Sequence, residues 1–160
     1  IGREVHVGSA REKLQPYPVR AIRTEDHLYV INFKPERWPM GAPFDIQPDS
    51  IPPFDTLANN TYAGYRDIDA SPTKAWMVEH RKDEGMAEFL AFAWEKRPAE
   101  ELYDLRKDPF QTKNLADNPE YDPVRKKLRQ ELMDVRKANK DPRLIADAFD
   151  RPPYIAGRGR

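Results

Sequence analysis

Proline constrains this chain more than any other residue. It occurs 16 times in 160 residues against only 7 glycines, about twice the usual ~5%. Each proline fixes φ and removes a backbone donor, so helices and strands are confined to the stretches between prolines. From Lys34 to Thr56, Pro35, Pro39, Pro43, Pro48, Pro52 and Pro53 alternate with Trp38, Phe44 and Phe54. That mixture predicts an extended loop docked by aromatic anchors, since long structureless loops in compact domains are functional or disordered. The length suits one domain, read as residues 1–150 with a short tail over 151–160.

Charge and cysteine usage remove several function classes. The chain carries 27 Lys plus Arg and 27 Asp plus Glu, split 9 basic to 11 acidic over residues 1–80 and 18 to 16 over 81–160. Neither half has the basic surplus of a nucleic-acid binder. No apolar run approaches the ~18 residues that cross a membrane. With no cysteine, disulfides, thiolate metal sites and cysteine nucleophiles are excluded. The opening Ile1-Gly2-Arg3-Glu4 is not a signal peptide and has no initiator Met, so the expectation is a start within a longer protein.

Two β-rich runs, residues 17–23 and 27–33, flank the polar connector Thr24-Glu25-Asp26 and predict an antiparallel hairpin. Arg20 and Arg23 fall on opposite strand faces, so at least one should reach solvent or a partner. Ser71 followed by Pro72 reads as an N-cap and first helical residue for a helix to about Arg81. Residues 86–96 carry Phe89, Leu90, Phe92, Ala93 and Trp94, which predicts a helix buried over much of its circumference. Glu101 to Leu105 reads as a strand closed by the turn Lys107-Asp108-Pro109. Asp122 and Pro123 then cap and start a long helix whose Val124, Leu128, Leu132 and Val135 form one stripe. The basic residues of 125–143, Arg136 and Arg143 among them, are mixed with Glu131, Asp134 and Asp141 and read as a solvated outer face. The sum is an α+β fold: a small antiparallel β-sheet packed with a long C-terminal helix and extended Pro-rich loops.

Local chemistry is sparse. His6, His27 and His80 share no metal-ligand spacing, and phosphate loops, G-x-S-x-G elbows and calcium loops are missing from the sequence. Asp67 and Asp69 make a D-x-D pair that reads as turn and cap chemistry before Ser71 rather than a metal clamp. His27 sits in a strand pattern, and His80 sits at a helix end where a cation suits the dipole. Residues 2–11 bring Arg3, Glu4, His6 and Arg11 into a Gly-punctuated segment. Guanidinium forks and imidazole suit a sulfate or carboxylate; plain surface is the other reading.

Gly2-Arg3-Glu4 with His6, the Tyr17-to-Thr24 run, Leu28 to Phe33, Arg37-Trp38-Pro39, Asp67 to Lys74, and Glu101-Leu102-Tyr103-Asp104-Leu105 through Asp108-Pro109 to Asn114-Leu115-Ala116 together resemble the C-terminal part of type I sulfatases. They most resemble bacterial relatives of heparan N-sulfatase (N-sulfoglucosamine sulfohydrolase), over roughly residues 2–138. The resemblance implies a parent whose N-terminal α/β domain holds a formylglycine matured from C/S-x-P-x-R and a calcium ion. Neither maps onto this chain, whose Ser71-Pro72-Thr73-Lys74 lacks the spacing and the arginine. It implies an inactive, substrate-side subdomain docked on that catalytic domain, with no catalytic or metal-binding residue of its own. The substrate would be a sulfated carbohydrate, with no nucleic-acid or membrane partner, and the parent would be periplasmic or secreted. It places residues 2–11 near the substrate entrance, with His6 as main contact, Glu4 orienting it or a sugar hydroxyl, and Arg11 as an anionic-group ligand. Val5, where the family usually has a basic residue, and Gly8-Ser9 depart from the family pattern. An autonomous binding or structural module is the alternative. A free-standing hydrolase using Asp67, Asp69 and His6 has no visible base–nucleophile pair.

Overall fold

The structure, a computed structural model, describes residues 5–6, 15–145 and 147–150. It is an α+β fold whose described residues form two compact units, one from residues 5–6, 16–35 and 98–150 and one from residues 15 and 36–97. The second is inserted in the connection between two neighbouring strands of the first.

The first unit is built on an antiparallel sheet of β1 (Val5–His6), β2 (Tyr17–Arg23), β3 (His27–Asn32) and β6 (Glu100–Asp104), in the order β1-β2-β3-β6. The predicted hairpin is present, with Val19 opposite Asn32 and Arg23 opposite Leu28. Its turn is closed by the Thr24 N–H donating to His27 O at 2.9 Å and the His27 N–H donating to Thr24 Oγ1 at 3.0 Å. β6 runs along β3 from His27↔Asp104 to Ile31↔Glu100, so the strand read at residues 101–105 is present one residue earlier. Side-chain alternation puts Ile22, Tyr29, Ile31 and Leu102 on one face. That face packs against Leu115, Ala116 and the Leu128 and Leu132 side chains of α4 (Asp122–Ala138). A sheet of a few short strands needs such a cover to stay folded in water.

Asp122 does not cap α4. A 3₁₀ turn over Pro119–Tyr121 leads in, capped by Asn118, whose side-chain oxygen accepts from the Glu120 N–H. The Asp122 carboxylate instead takes a bond from Arg125 at 2.6 Å, where its charge also suits the helix N-terminus. Arg136, four residues beyond Leu132, continues the buried stripe and is only 4% exposed, and Arg143 is buried as well. These two arginines correct the reading of the 125–143 basic residues as a solvated face; the others lie outside the stripe.

The inserted unit holds the two-stranded ribbon β4 (Pro43–Phe44) and β5 (Gly64–Tyr65) with α1 (Phe54–Asn59), α2 (Pro72–Glu79) and α3 (Met86–Trp94). Leu57, Ala63, Ala75, Val78 and Trp94 are its buried core. Ser71 caps α2 as predicted, accepting from the Lys74 N–H at 3.1 Å. Gly64 sits at φ +70°, and a Cβ there would meet Leu57 Cδ2 at 2.9 Å, so both conformation and space demand glycine. The aromatic-anchor reading holds least well here: Phe44 and Phe54 stay exposed, and Phe44 is overlain by the Arg66 guanidinium at 3.7 Å. α3 also departs from expectation, because only Trp94 is buried on it.

Replacing the fully buried Leu132 by Ala should cost about 2–5 kcal/mol, as large-to-small changes in packed cores do. Phe110→Ala, at an 86% exposed position, should stay within ~0.5 kcal/mol. Urea denaturation of the two variants checks the contrast.

Candidate functional site

His6 belongs to β1, where its backbone pairs with Tyr17 and that of Val5 with Pro18. The segment read as a Gly-punctuated loop therefore contributes an outer strand beside β2. Glu4 and Arg11 lie outside the described residues. Tyr17, opposite His6, is buried.

Further along β2, Arg20 is buried and meets the chain's C-terminal part. Its Nε and Nη2 donate to Asp141 Oδ2 and Oδ1 at 2.8 and 2.9 Å, a two-pronged fork spanning 121 positions. Arg23 is exposed, as strand alternation requires. Asp141 also accepts from Arg136 Nε at 3.0 Å and from the Arg143 N–H at 2.9 Å. The Arg136 guanidinium lies 4.5 Å from the Phe33 ring centroid and that of Arg143 5.9 Å, a stacking that suits the flat, weakly hydrated arginine head. Burial alone would raise the Asp141 pKa. The Arg20 fork, the Arg143 N–H and Arg136 outweigh it and hold the carboxyl below its ordinary range. Beside this cluster opens a groove of about 460 Å³ lined by Phe33, Glu100, Arg129, Met133, Arg136 and Arg143 among others. Glu100 is engaged by Arg125 at 2.8 Å and by Arg129, so the groove's rim is already internally paired.

The E-L-Y-D-L…D-P…N-L-A pattern proves to be a set of backbone staples. Asp104 is buried and accepts from the Arg106 and Lys107 N–H groups at 3.2 and 3.3 Å and from the Tyr121 hydroxyl at 3.1 Å. Burial pushes its pKa up, but these bonds and the nearby Lys107 charge bring it below the usual carboxylate value. Asp108 accepts from the Lys113 N–H at 2.8 Å. Asn114 Oδ1 accepts from the Leu102 and Ala116 N–H groups, while its amide donates to Glu100 O at 3.1 Å. One asparagine thereby holds β6 to the segment that follows it.

Lys74 organises the inserted unit. The residue is 1% exposed, and its ammonium donates to the carbonyls of Thr61 at 3.0 Å, Tyr65 at 3.0 Å and Ile68 at 2.9 Å. Burial lowers its pKa, with Asp69 pulling the other way. Asp67 lies in the turn that precedes α2 and Asp69 just beyond it, while the cap itself is supplied by Ser71. His80 closes α2, with Nδ1 2.6 Å from Asp83 Oδ2 and its ring 4.4 Å from that of Trp76. His27 lies edge-on to Tyr121 at 6.4 Å. Among the described residues no three His, Asp or Glu side chains converge as a metal site.

These groups are bonded chiefly to the backbone and to one another. Sequence reasoning missed the Asp141 clasp because its parts lie 121 positions apart. The available signal was Arg136, one helical turn past Leu132 on the apolar stripe.

The clasp generates a pH prediction. A carboxylate whose folded pKa is depressed adds stability above its unfolded value, about 3.9, and loses it as pH falls through the folded value. Asp141 and Asp104 both have this sign, so the unfolding free energy should decline below about pH 4. Asp141→Ala, which strands buried Arg20 and Arg136, should cost about 3–5 kcal/mol at pH 7 and flatten that acid limb. Urea titrations of both proteins from pH 3 to 7 check this.

No protein-family model matches the chain. Two curated relatives do, both named ulvan-active sulfatases and both from Formosa agariphila. One is 29% identical over 130 residues, which is 80% of this chain and 18% of the relative. The other is 45% identical over 69 residues, 43% of this chain and 14% of the relative. The chain thus spans less than a fifth of the length of the relatives it matches. Over most of its length the chain is thus similar to a part of a protein named as a sulfatase.

Proposed function

We propose that this chain is the C-terminal, substrate-side subdomain of a sulfatase that hydrolyses sulfate esters or sulfamates on glycans. The observation that carries the reading is the pairing of 80% coverage of this chain with 18% coverage of a sulfatase: most of a relative's chain has no counterpart here. The motif resemblance points the parent toward N-sulfoglucosamine-type substrates, while the matched relatives are named for activity on ulvan. A sulfated carbohydrate is common to both. The motif resemblance implies that calcium and formylglycine belong to the parent's catalytic domain. Calcium, when bound there, would stabilise negative charge on the sulfate oxygens.

On this reading the subdomain supplies binding and orientation. His6 is the main sugar contact, held in place by its backbone pairing with Tyr17. Glu4 orients His6 or a hydroxyl, and Arg11 receives an anionic group through its guanidinium fork. The first test is the encoding gene upstream of Ile1, which should carry a C/S-x-P-x-R segment; its absence would leave the autonomous binding module as the better reading. Where the segment is present, His6→Ala in the intact parent should lower kcat/KM for a sulfated glycan by at least tenfold, with the melting temperature within ~2 °C of wild type. Unchanged kinetics with a lowered melting temperature would assign His6 to structure.

A further inference from the structure

α3 is apolar almost all the way round: Met86, Ala87, Phe89, Leu90, Ala91, Phe92, Ala93 and Trp94 leave Glu88 as its one charged residue. Helices of this composition are found covered on every side. Within its own unit α3 is covered on one face only. Trp94 is buried in the core, its ring 4.7 Å from that of Tyr65, and Leu90 and Ala93 pack against the same cluster. Phe89 and Phe92, one turn apart on the adjacent face, are 60% and 39% exposed. A lone exposed aromatic is ordinary; two side by side on one face of an otherwise apolar helix make a contiguous apolar patch of the kind that contacts other polypeptide.

We infer that this face of α3 is where the rest of the sulfatase polypeptide, the catalytic domain outside this sequence, docks onto the inserted unit. The inference rests on the reading that the chain is part of a longer sulfatase. Two observations select that occupant. The relatives extend far beyond the matched region, which is 18% and 14% of their lengths, so a large polypeptide is available to cover the face. The patch is also too small to hold a second copy. With about 200 Å² per phenylalanine side chain, the exposed fractions of Phe89 and Phe92 leave roughly 200 Å² of ring. Even if flanking atoms double that, a symmetric pair would bury roughly 800 Å², the scale of a packing contact and short of the ~1,200 Å² of specific association. A covalently joined domain docks at a high effective concentration and so at a smaller entropy cost than a free partner, and interfaces between such domains start at about 600 Å².

Hydroxyl-radical footprinting of the intact parent, read at Phe89 and Phe92 by mass spectrometry, tests the inference. Both rings should react at least tenfold more slowly in the native parent than in urea-unfolded parent, at every protein concentration. As a second readout, Phe89→Ser with Phe92→Ser should lower the parent's melting temperature by several degrees. Native rates within about twofold of the unfolded ones would overturn the docking face while leaving the sulfatase reading intact. Protection that appears only as concentration rises would overturn it in favour of a second copy. A parent gene with no upstream sulfatase region would fail the underlying reading instead, and the gene sequence reveals that separately.

Discussion

The burial of Leu128 and Leu132 against Tyr29, Ile31 and Leu102 is the contact on which the first unit depends. A few short strands bury too little apolar surface by themselves, and α4 closes the face they leave open. Everything else in that unit secures this packing. Asn114 fixes β6 to the chain that leads toward α4. The buried Asp141 carboxylate, gripped by Arg20 on β2 and by Arg136 in the last turn of α4, ties the far end of the helix back to the sheet. A charge pair at such depth is retained when its geometry satisfies most of its bonds, and the two-pronged Arg20 contact meets that condition.

The insertion of residues 36–97 between β3 and β6 is handled locally. The Asn32 amide donates to Pro98 O and to Glu101 Oε1, both at 2.7 Å, so the point where the chain leaves the sheet is bonded to the point where it returns. The inserted unit has its own core and its own buried cation, Lys74, whose ammonium donates to three carbonyls. The motifs that most suggest a sulfatase thus do structural work in this chain. D-x-S-P-T-K builds a cap and an internal ammonium, and E-L-Y-D-L…D-P…N-L-A builds turns. A likeness carried by such elements speaks to scaffold, and function has to be argued from a site.

Local patterning made the hairpin, β6, α2 and α4 legible, because alternation, caps and a 3.6-residue stripe are short-range signals. Asp122 was misread because proline at position 119 opens a 3₁₀ turn that takes over the cap. Arg136 and Arg143 were misread because their burial depends on Phe33 and Asp141, which no local window contains. Phe89 and Phe92 were expected inside from composition; the described residues give them no cover. Of the candidate site, only the strand position of His6 is described, since Glu4 and Arg11 fall outside the described residues.

A crystal structure of the intact parent with a non-hydrolysed sulfated oligosaccharide bound tests the central claim most directly. A His6 ring nitrogen should lie within hydrogen-bond reach of the sugar, about 3 Å, with Glu4 or Arg11 beside it. A sugar held entirely by residues outside this chain, with His6 turned away from it, would contradict a substrate-side role.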